Sequence, residues 1–496
     1  MSVRGIASAA ESIALFSALI NKNSSIQTLL DFLRHEVQRL DAGDRLPSSR
    51  ELVERHRVSP ITVSRAVALL AQEGVVESRP GSGTYVSALF APAAAVDHSW
   101  QTVALADRSV DTGGLGQLSD AAEEGVLSLG TGYLHASLQP QRALAAAFAH
   151  AARLPEVWDR PPVSGLRSLR AWFAASAGPG IDAHDVIITP GGQGAISAAF
   201  RALVPAGAPL LIESPSYQGA IAVARAAGIR HVPVPTDAEG IIPEMLVEAF
   251  ARTGAQALYI QPTYQNPTGA VLSPSRRSAV LAAASAARAF VIEDDFARWL
   301  SFERRPPSPL LLDDKEGRVV YITSLTKVTS PNLRVGALIA RGPVADRLRS
   351  IRIVDDMFVS RPIQEAALEL VSGNAWNRHL RVLARSLSQR SQTLASAIAL
   401  QMRACRLASR PQGGIHLWVA IPENLDDVTV ALAAQNKGVI VMPGRAFFPA
   451  EETGSHLRLT FIGVPTEADL AEGIRRLVAA VPELADGPID ASLARD

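Results

Sequence analysis

The sequence predicts a multidomain protein, in which a small N-terminal winged helix-turn-helix precedes a larger α/β domain with a mostly parallel sheet. Three observations predict this class. At 496 residues, the chain exceeds the size that one hydrophobic core supports. Residues 25–87 read as helices that end in a hairpin. From residue 126 onward, apolar strand-like runs alternate with Ala- and Leu-rich helical stretches, as in α/β proteins.

Composition limits the classes of partner and compartment. The 48 basic and 48 acidic side chains cancel, so only a local patch could bind nucleic acid or anionic lipid. The single cysteine, Cys405, excludes an internal disulfide and a thiolate metal cluster, and we predict no metal site and a cytoplasmic location. No apolar stretch is long enough to span a membrane. Residues 1–24 are expected to be an N-terminal extension, because Glu11 precedes the apolar run 12–20 and no cleavage site follows.

The segment 25–87 carries helix signals in order. Apolar residues at helical spacing mark a first helix: Ile26, Leu29, Leu30, Leu33 and Val37. A Ser cap in "LPSSRELVERHRV" begins a second helix. Ser59 caps a third, with Pro60 in its first turn and Val63, Ala66, Val67 and Leu70 facing inward. Two β-prone runs around a Gly-rich tip in "VVESRPGSGTYVS" predict a hairpin wing.

Charge in this segment fits a DNA-binding surface. Residues 45–65 hold five arginines against two glutamates. Helix-turn-helix geometry lets a helix enter the major groove. The spacing of the helices alone does not exclude an alternative to DNA binding, in which the segment is a packing or dimerisation module and its arginines are solvated.

The wording of residues 43–87, "GDRLPSSRELVERHRVSPITVSRAVALLAQEGVVESRPGSGTYVS", resembles the DNA-binding domain of the GntR family. The resemblance implies a partner, double-stranded DNA, and a set of contact residues: Arg50, Ser59, Thr62, Ser64, Arg65 and Gly81, with Gly83 beside the last in the wing. Pro60 stands where the family often has Arg, and Pro offers no bidentate donor to guanine. The operator sequence is therefore not predicted.

Residues 88–125 are rich in Ala, Gly, Ser and Asp without a sustained period, which predicts an interdomain linker. Beyond it, polar or Gly-rich residues follow apolar runs at the points where strands should end. Because ligands of such sheets bind beyond the carboxyl ends of the strands, these residues are expected to meet. They are the "GGQ" turn at 191–193, Tyr217, Asn266, Asp294 and Lys327.

Taken singly, each of these residues could have only a structural role, in a turn, a Pro-rich loop, a helix cap or as a surface lysine. Together they supply a phosphate cradle, an aromatic plane, an amide donor, a carboxylate and an amine, which is the set that pyridoxal phosphate requires. The amine would form a Schiff base with the aldehyde of the cofactor, and the carboxylate would hold a proton on the ring nitrogen.

The order and wording of these segments resemble the fold-type I aminotransferases from Leu127 onward. The resemblance implies a PLP-dependent transferase fold with a large domain and a small α+β domain, spanning 126–490 with the small part at roughly 345–490. It implies that Lys327 is the catalytic lysine and that Gly192, Gln193, Tyr217, Asn266, Asp294, Ser324 and Arg334 bind the cofactor. In "HLRLTF", Arg458 would hold the α-carboxylate of an amino acid.

Three further positions bear on activity. Phe296 stands where relatives usually have Tyr, so it cannot donate to the oxygen of the cofactor ring. Arg160 stands roughly where a Tyr of relatives reaches the phosphate of the neighbouring subunit. His416 is interpreted as a packed, hydrogen-bonded core residue rather than a catalyst.

The combination resembles the MocR subgroup of transcription regulators from end to end. The resemblance implies a homodimer, with a domain-swapped form left open. We expect a regulator that senses an amine or amino acid through an external aldimine at Lys327. The alternative is a working aminotransferase with an auxiliary N-terminal module, and residual half-reaction activity stays open. A scaffold that has lost its cofactor is disfavoured by the retained Lys327, Asp294, Asn266 and Arg334. The sequence names neither the effector nor the promoter, nor whether the output is activation or repression.

Overall fold

The computed structural model describes residues 26–88, 97–105, 125–302 and 306–486. They fall into two compact units that divide between residues 109 and 110. The predicted extension at 1–24 lies outside the described residues. No helix among the described residues is long and apolar enough to cross a membrane.

The first unit consists mainly of helices and one hairpin, as the sequence predicts. Its elements are α1 (26–37), α2 (Ser49–His56), α3 (Pro60–Gln72), β1 (Val76–Arg79), β2 (Gly83–Val86) and, within the predicted linker, α4 (Ser99–Ala104). A capping box begins α2: the Ser48 hydroxyl accepts a hydrogen bond from the Glu51 amide, and the Glu51 carboxylate accepts one from the Ser48 amide. Ser59 caps α3, with Pro60 in the first turn. Both predicted caps are confirmed.

The first unit has a hydrophobic core of its own, formed by the apolar stripes of α1 to α3. Its fully buried members include Leu33, Val63 and Leu70, whereas Val67 only packs against it. β1 and β2 pair antiparallel from Val76 and Val86 towards the tip of the wing. The helical stripes read from the sequence therefore face one another.

We expect Leu70→Ala to lower the free energy of unfolding of the first unit by about 2–5 kcal/mol, because it leaves a cavity in a small core. Leu70 is fully buried, while its neighbour Leu69 is 40% exposed. Leu69→Ala is the matched control and should cost less than about 0.5 kcal/mol. Hydrogen exchange of the α3 amides in the full-length protein measures both. Equal effects of the two variants would contradict the described packing.

The second unit contains the remaining α-helices and β-strands. In chain order they are β3 (Leu127–Ser128), α5 (Gln141–Ala151), α6 (Arg167–Ala177), β4 (Val186–Thr189), α7 (Gly191–Leu203), β5 (Pro209–Ser214), α8 (Gln218–Ala226), β6 (Arg230–Asp237), β7 (Gly240–Ile241), α9 (Pro243–Thr253), β8 (Ala257–Ile260), α10 (Pro274–Ala286), β9 (Phe290–Asp294), α11 (Leu310–Asp313), β10 (Val319–Ser324), β11 (Gly336–Ile339), α12 (Pro343–Asp355), α13 (Arg361–Ser372), α14 (Asn374–Gln401), β12 (Arg406–Leu407), β13 (His416–Ala420), α15 (Asp427–Gln435), β14 (Val439–Ile440), β15 (Met442–Pro443), β16 (His456–Thr460) and α16 (Glu467–Ala480).

The large sheet has the order β4-β11-β10-β9-β8-β5-β6-β7. Its strands run parallel except for β11 and β7, so the predicted mostly parallel sheet is confirmed. Alternate residues of one strand enter different cores: Ile187 of β4 packs on one face of the sheet, and Val186 and Ile188 on the other. Helices cover both faces, which explains why these strands are apolar throughout.

A smaller antiparallel sheet, β12-β13-β16-β15, forms the second part of this unit. The residues just after 125 reach it: the Leu129 carbonyl accepts a hydrogen bond from the Thr460 amide at the end of β16, while β3 pairs with β14 in a separate two-stranded sheet. Residues 127–130 thus lie against the small sheet, although they precede the large sheet in the chain.

Candidate functional site

One cavity of about 440 Å³ lies beyond the carboxyl ends of β4, β5, β8, β9 and β10. The nine residues predicted to bind cofactor or substrate all line it: Gly192, Gln193, Tyr217, Asn266, Asp294, Ser324, Lys327, Arg334 and Arg458. The first eight lie at strand ends of the large sheet or in the segments next to them, and Arg458 lies in β16 of the small sheet. The structure therefore brings together residues that lie up to 266 positions apart in the chain, between Gly192 and Arg458.

Lys327 follows β10 and projects its amine into the cavity. Nζ donates a hydrogen bond to the Gly132 carbonyl at 3.0 Å and lies 3.9 Å from the centroid of the Tyr133 ring. Removal from water, followed by the nearby charges of Arg458 and Arg334, lowers the pKa of Lys327 to about 7. A substantial fraction of this amine is therefore uncharged and nucleophilic near neutral pH.

Asp294, the last residue of β9, is held by two donors. The Tyr259 hydroxyl lies 2.6 Å and the Gln261 Nε2 2.8 Å from its Oδ2. Burial raises the pKa of Asp294 to about 6, against the effect of these two hydrogen bonds. The carboxylate remains mostly ionised at neutral pH and is fixed in orientation, as a partner for a cationic ring N–H must be.

Gln261 is a residue that the sequence analysis missed. Its side chain donates to Asp294 and accepts a hydrogen bond from the Asn266 amide at 3.0 Å, and its own amide donates to Glu213 at 2.8 Å. Gln261 therefore fixes the two predicted ring contacts, Asp294 and Asn266, relative to each other. The available signal was its position directly after the buried strand β8, the same signal that singled out the other site residues.

A candidate anion site lies where β4 turns into α7. Gly191 begins the helix at a φ of +81°, and no described side chain caps this end, which leaves amides of the first turn available to a ligand. The Arg334 guanidinium approaches the same turn and donates to the Pro190 carbonyl at 3.0 Å. The Thr326 hydroxyl is buried and has no partner among the described residues. The sequence analysis assigned no role to Thr326.

Tyr217 is held firmly at the cavity wall. Its hydroxyl donates to Gln193 Oε1 at 3.0 Å, and Gln193 Nε2 donates to the Gly219 carbonyl at 3.0 Å. A Cβ at Gly219 would lie 2.5 Å from the Tyr217 hydroxyl, so only glycine fits there. The Gln193 side chain is thus engaged with Tyr217 and Gly219, while its backbone lies in the first turn of α7.

Arg458 is a buried cation whose hydrogen bonds go to neutral groups. It is 2% exposed, donates to the Gly130 carbonyl, and reaches the side-chain oxygen of Asn266 at 3.5 Å. Its Nε has no hydrogen-bond partner among the described residues. Burial lowers the pKa of Arg458 to about 9. A guanidinium in this state favours an incoming carboxylate, which can take two parallel hydrogen bonds.

The three positions that bear on activity are also placed. Phe296 and His416 line the cavity with their ring centroids 6.3 Å apart. His416 is buried, as predicted, but its Nε2 has no hydrogen-bond partner within the described part of the chain. Burial, with Arg458 and Lys327 nearby, holds the pKa of His416 well below its usual value. Arg160 is exposed and lies over the Phe358 ring at 5.7 Å, away from the cavity lining of its own chain.

The predicted DNA contacts lie on α2, on α3 and at the wing. Arg50, Ser59, Ser64 and Arg65 are exposed, and Thr62 is half-buried. Gly81 lies at the exposed tip of the wing with a φ of +75°, a conformation that favours glycine.

Two family models match the chain. Residues 125–477 match aminotransferase class I and II, and residues 30–86 match the gntR family of bacterial regulatory proteins. Among curated proteins, an uncharacterized HTH-type transcriptional regulator of Bacillus subtilis (strain 168), YisV, is 30% identical over 87% of this chain and 90% of its own. A second such regulator of that organism, YdfD, is 27% identical over 89% of this chain and 93% of its own.

Solved structures resemble the second unit. The α-aminoadipate aminotransferase LysN from Thermus thermophilus, complexed with N-(5'-phosphopyridoxyl)-L-leucine, aligns with a TM-score of 0.69 and 29% identity. The alignment covers 75% of this chain and 97% of that protein. The likeness thus extends over nearly the whole of an aminotransferase, whereas the likeness to the regulators extends over nearly the whole of both chains.

Proposed function

The chain belongs to the aminotransferase class I and II family and carries a gntR-family region at residues 30–86, and from this premise we propose that it is a pyridoxal phosphate-dependent, DNA-binding transcription regulator that senses an amine or amino acid. One observation carries the proposal: an amine, a carboxylate and two guanidinium groups surround one cavity in a chain that also has a winged helix.

The residues of the cavity fit the cofactor. The amides of the first turn of α7, the orphaned Thr326 hydroxyl and the Arg334 guanidinium would bind its phosphate. Asp294 would hold the proton of the ring nitrogen, and Asn266 would donate to the ring oxygen. When bound, pyridoxal phosphate supplies an aldehyde and an electron-withdrawing ring.

We propose that Arg458 binds the carboxylate of the effector, and that the effector amine would replace the Lys327 amine at the aldehyde carbon of the cofactor, with Lys327 leaving as a free amine. Arg458 comes from the small sheet and Lys327 from the large sheet, so an effector bound at both would join the two parts. Such a ligand regulates DNA binding only if it binds the two DNA-affinity states differently.

A paired titration tests this function. Amino acids are added to the cofactor-loaded protein while the visible absorbance of the protein and its affinity for a selected DNA duplex are followed together. We expect both to change at the same amino acid concentration, because one binding event drives both. Repeated turnover with a keto acid acceptor and no change in DNA affinity would favour a working aminotransferase instead.

The pKa of Lys327 predicts how cofactor attachment depends on pH. Only the neutral amine attacks an aldehyde, so the rate of attachment should rise with pH through about 7 and then level off, well below the ordinary lysine value of 10.5. Asp294 raises the pKa of Lys327, so Asp294→Asn should move the midpoint to lower pH. Stopped-flow absorbance after adding pyridoxal phosphate measures both profiles. A rate that still increases above pH 9 would contradict the prediction.

We further propose a homodimer. Three exposed apolar side chains support it: Trp158 is 78%, Val354 75% and Met357 55% exposed. The contact of Arg160 with Phe358 brings their two segments together, and such a patch is typical of an interface. Sedimentation of Trp158→Ser should show a weaker dimer than the wild type. A domain-swapped form stays a prediction.

We also propose a cytoplasmic location, which the free thiol of Cys405 and the proposed DNA partner support.

A further inference from the structure

The outward face of α3 begins with an exposed apolar side chain. Ile61, in the first turn, is 73% exposed, although isoleucine is usually buried. Val63, Ala66 and Leu70 of the same helix face the core. Ile61 therefore lies on the side of α3 that is available to a partner.

The polar side chains at this end of α3 are engaged with one another. Ser59 Oγ accepts a hydrogen bond from the Thr62 amide at 3.1 Å, and the two hydroxyls lie 2.9 Å apart. Pro60 has no side-chain donor. Of the two aliphatic side chains in the first turn, Val63 is buried and Ile61 is 73% exposed, so Ile61 is the one that faces outward.

The surroundings of Ile61 favour DNA as its partner. Arg50 and Arg65 are exposed on α2 and α3, and positive charge beside a recognition helix fits a phosphate backbone. The N-terminal residues of such a helix contact base edges in the major groove. There, the thymine C5-methyl group is the apolar feature that an aliphatic side chain can read.

On the premise that this unit binds DNA as proposed above, we propose that Ile61 recognises a thymine through its C5-methyl group. The operator then carries an A·T pair at the position facing the start of α3. An arginine at this turn would read guanine through two hydrogen bonds, which neither Pro60 nor Ile61 can make.

Replacing single thymines by deoxyuridine tests the inference, because the change removes one methyl group and no hydrogen bond. Duplexes are first selected from a random pool with the full-length, cofactor-loaded protein. Each recurrent thymine is then replaced in turn, and affinity is measured by fluorescence anisotropy. We expect one replacement to weaken wild-type binding about fourfold, as expected for one buried methyl group. Ile61→Ala should bind the thymine and uracil duplexes equally, and Ile61→Val should keep part of the preference.

Leu69→Ala is the matched control, since Leu69 is an exposed leucine near the other end of α3 and its loss should leave the preference intact. The inference is overturned if Ile61→Ala still discriminates as the wild type does, or if it alters the oligomeric state and leaves the discrimination unchanged. Failure to select any duplex would instead remove the proposed DNA-binding function itself, so the two failures are distinguishable.

Discussion

Lys327→Ala should abolish covalent attachment of pyridoxal phosphate and, with it, the visible absorbance of the purified protein. The chain has four lysines, Lys22, Lys315, Lys327 and Lys437. Of the three lysines that the structure describes, only Lys327 lines the cavity described above. Its lowered pKa makes it the amine best able to attack the aldehyde at neutral pH.

Borohydride reduction followed by peptide mass spectrometry measures the attachment site directly. We expect label on the peptide that contains Lys327 in the wild type, and none in Lys327→Ala. The variant should still bind the cofactor reversibly, because its anion site at α7 and Arg334 is intact. Exposed Lys315→Ala and Lys437→Ala are the controls and should retain wild-type absorbance. Label on either exposed lysine in the wild type would contradict the proposed site.

The first unit could be predicted from the sequence because its signals are local. The caps at Ser48 and Ser59 and the apolar stripes of α1 to α3 each depend on residues within a few positions of one another. What the sequence did not show is that the hydroxyls of Ser59 and Thr62 bond to each other, beside an Ile61 side chain that is 73% exposed.

In the second unit, the residues that line the cavity could be predicted, but the directions of all strands in the sheet could not. Most of the site residues follow an apolar run, and the end of such a run marks the end of a strand. The direction of a strand has no comparable signal in the sequence. β11 runs antiparallel to the strands on either side of it, yet it is as apolar as they are. β6 is difficult to recognise in the sequence, because Pro233 and Pro235 interrupt its apolar pattern. It tolerates them because it pairs with β5 along one side and only briefly with β7 on the other.

The contacts between distant segments were beyond sequence reasoning. Gly130 gave no signal, yet its carbonyl accepts a hydrogen bond from Arg458, because β3 pairs with β14 and brings residues 127–130 to the small sheet. The link that Gln261 makes between Asp294 and Asn266 likewise depends on a loop conformation that periodicity does not encode.

Arg458→Gln should weaken binding of amino acids by about 10²–10⁴-fold and leave binding of the corresponding decarboxylated amines nearly unchanged. Breaking a buried, hydrogen-bonded charge pair typically costs about 3–5 kcal/mol. The wild-type guanidinium is 2% exposed, and its Nε lacks a partner among the described residues, so a carboxylate meets a site already removed from water. Absorbance titration with an amino acid and with its decarboxylated amine gives the two affinities.

A second readout separates loss of carboxylate binding from general damage to the cavity. Arg458 lowers the pKa of Lys327, so its removal should raise the pH midpoint of cofactor attachment, while attachment itself persists. Arg458→Lys keeps the positive charge but loses the bidentate guanidinium. It should therefore restore the pH midpoint of cofactor attachment more fully than the affinity for amino acids. Arg475→Gln, on the exposed face of α16, is the control without effect on either readout. If Arg458→Gln bound amino acids as tightly as the wild type, the carboxylate would have to bind elsewhere, and the effector would not join the small sheet to Lys327.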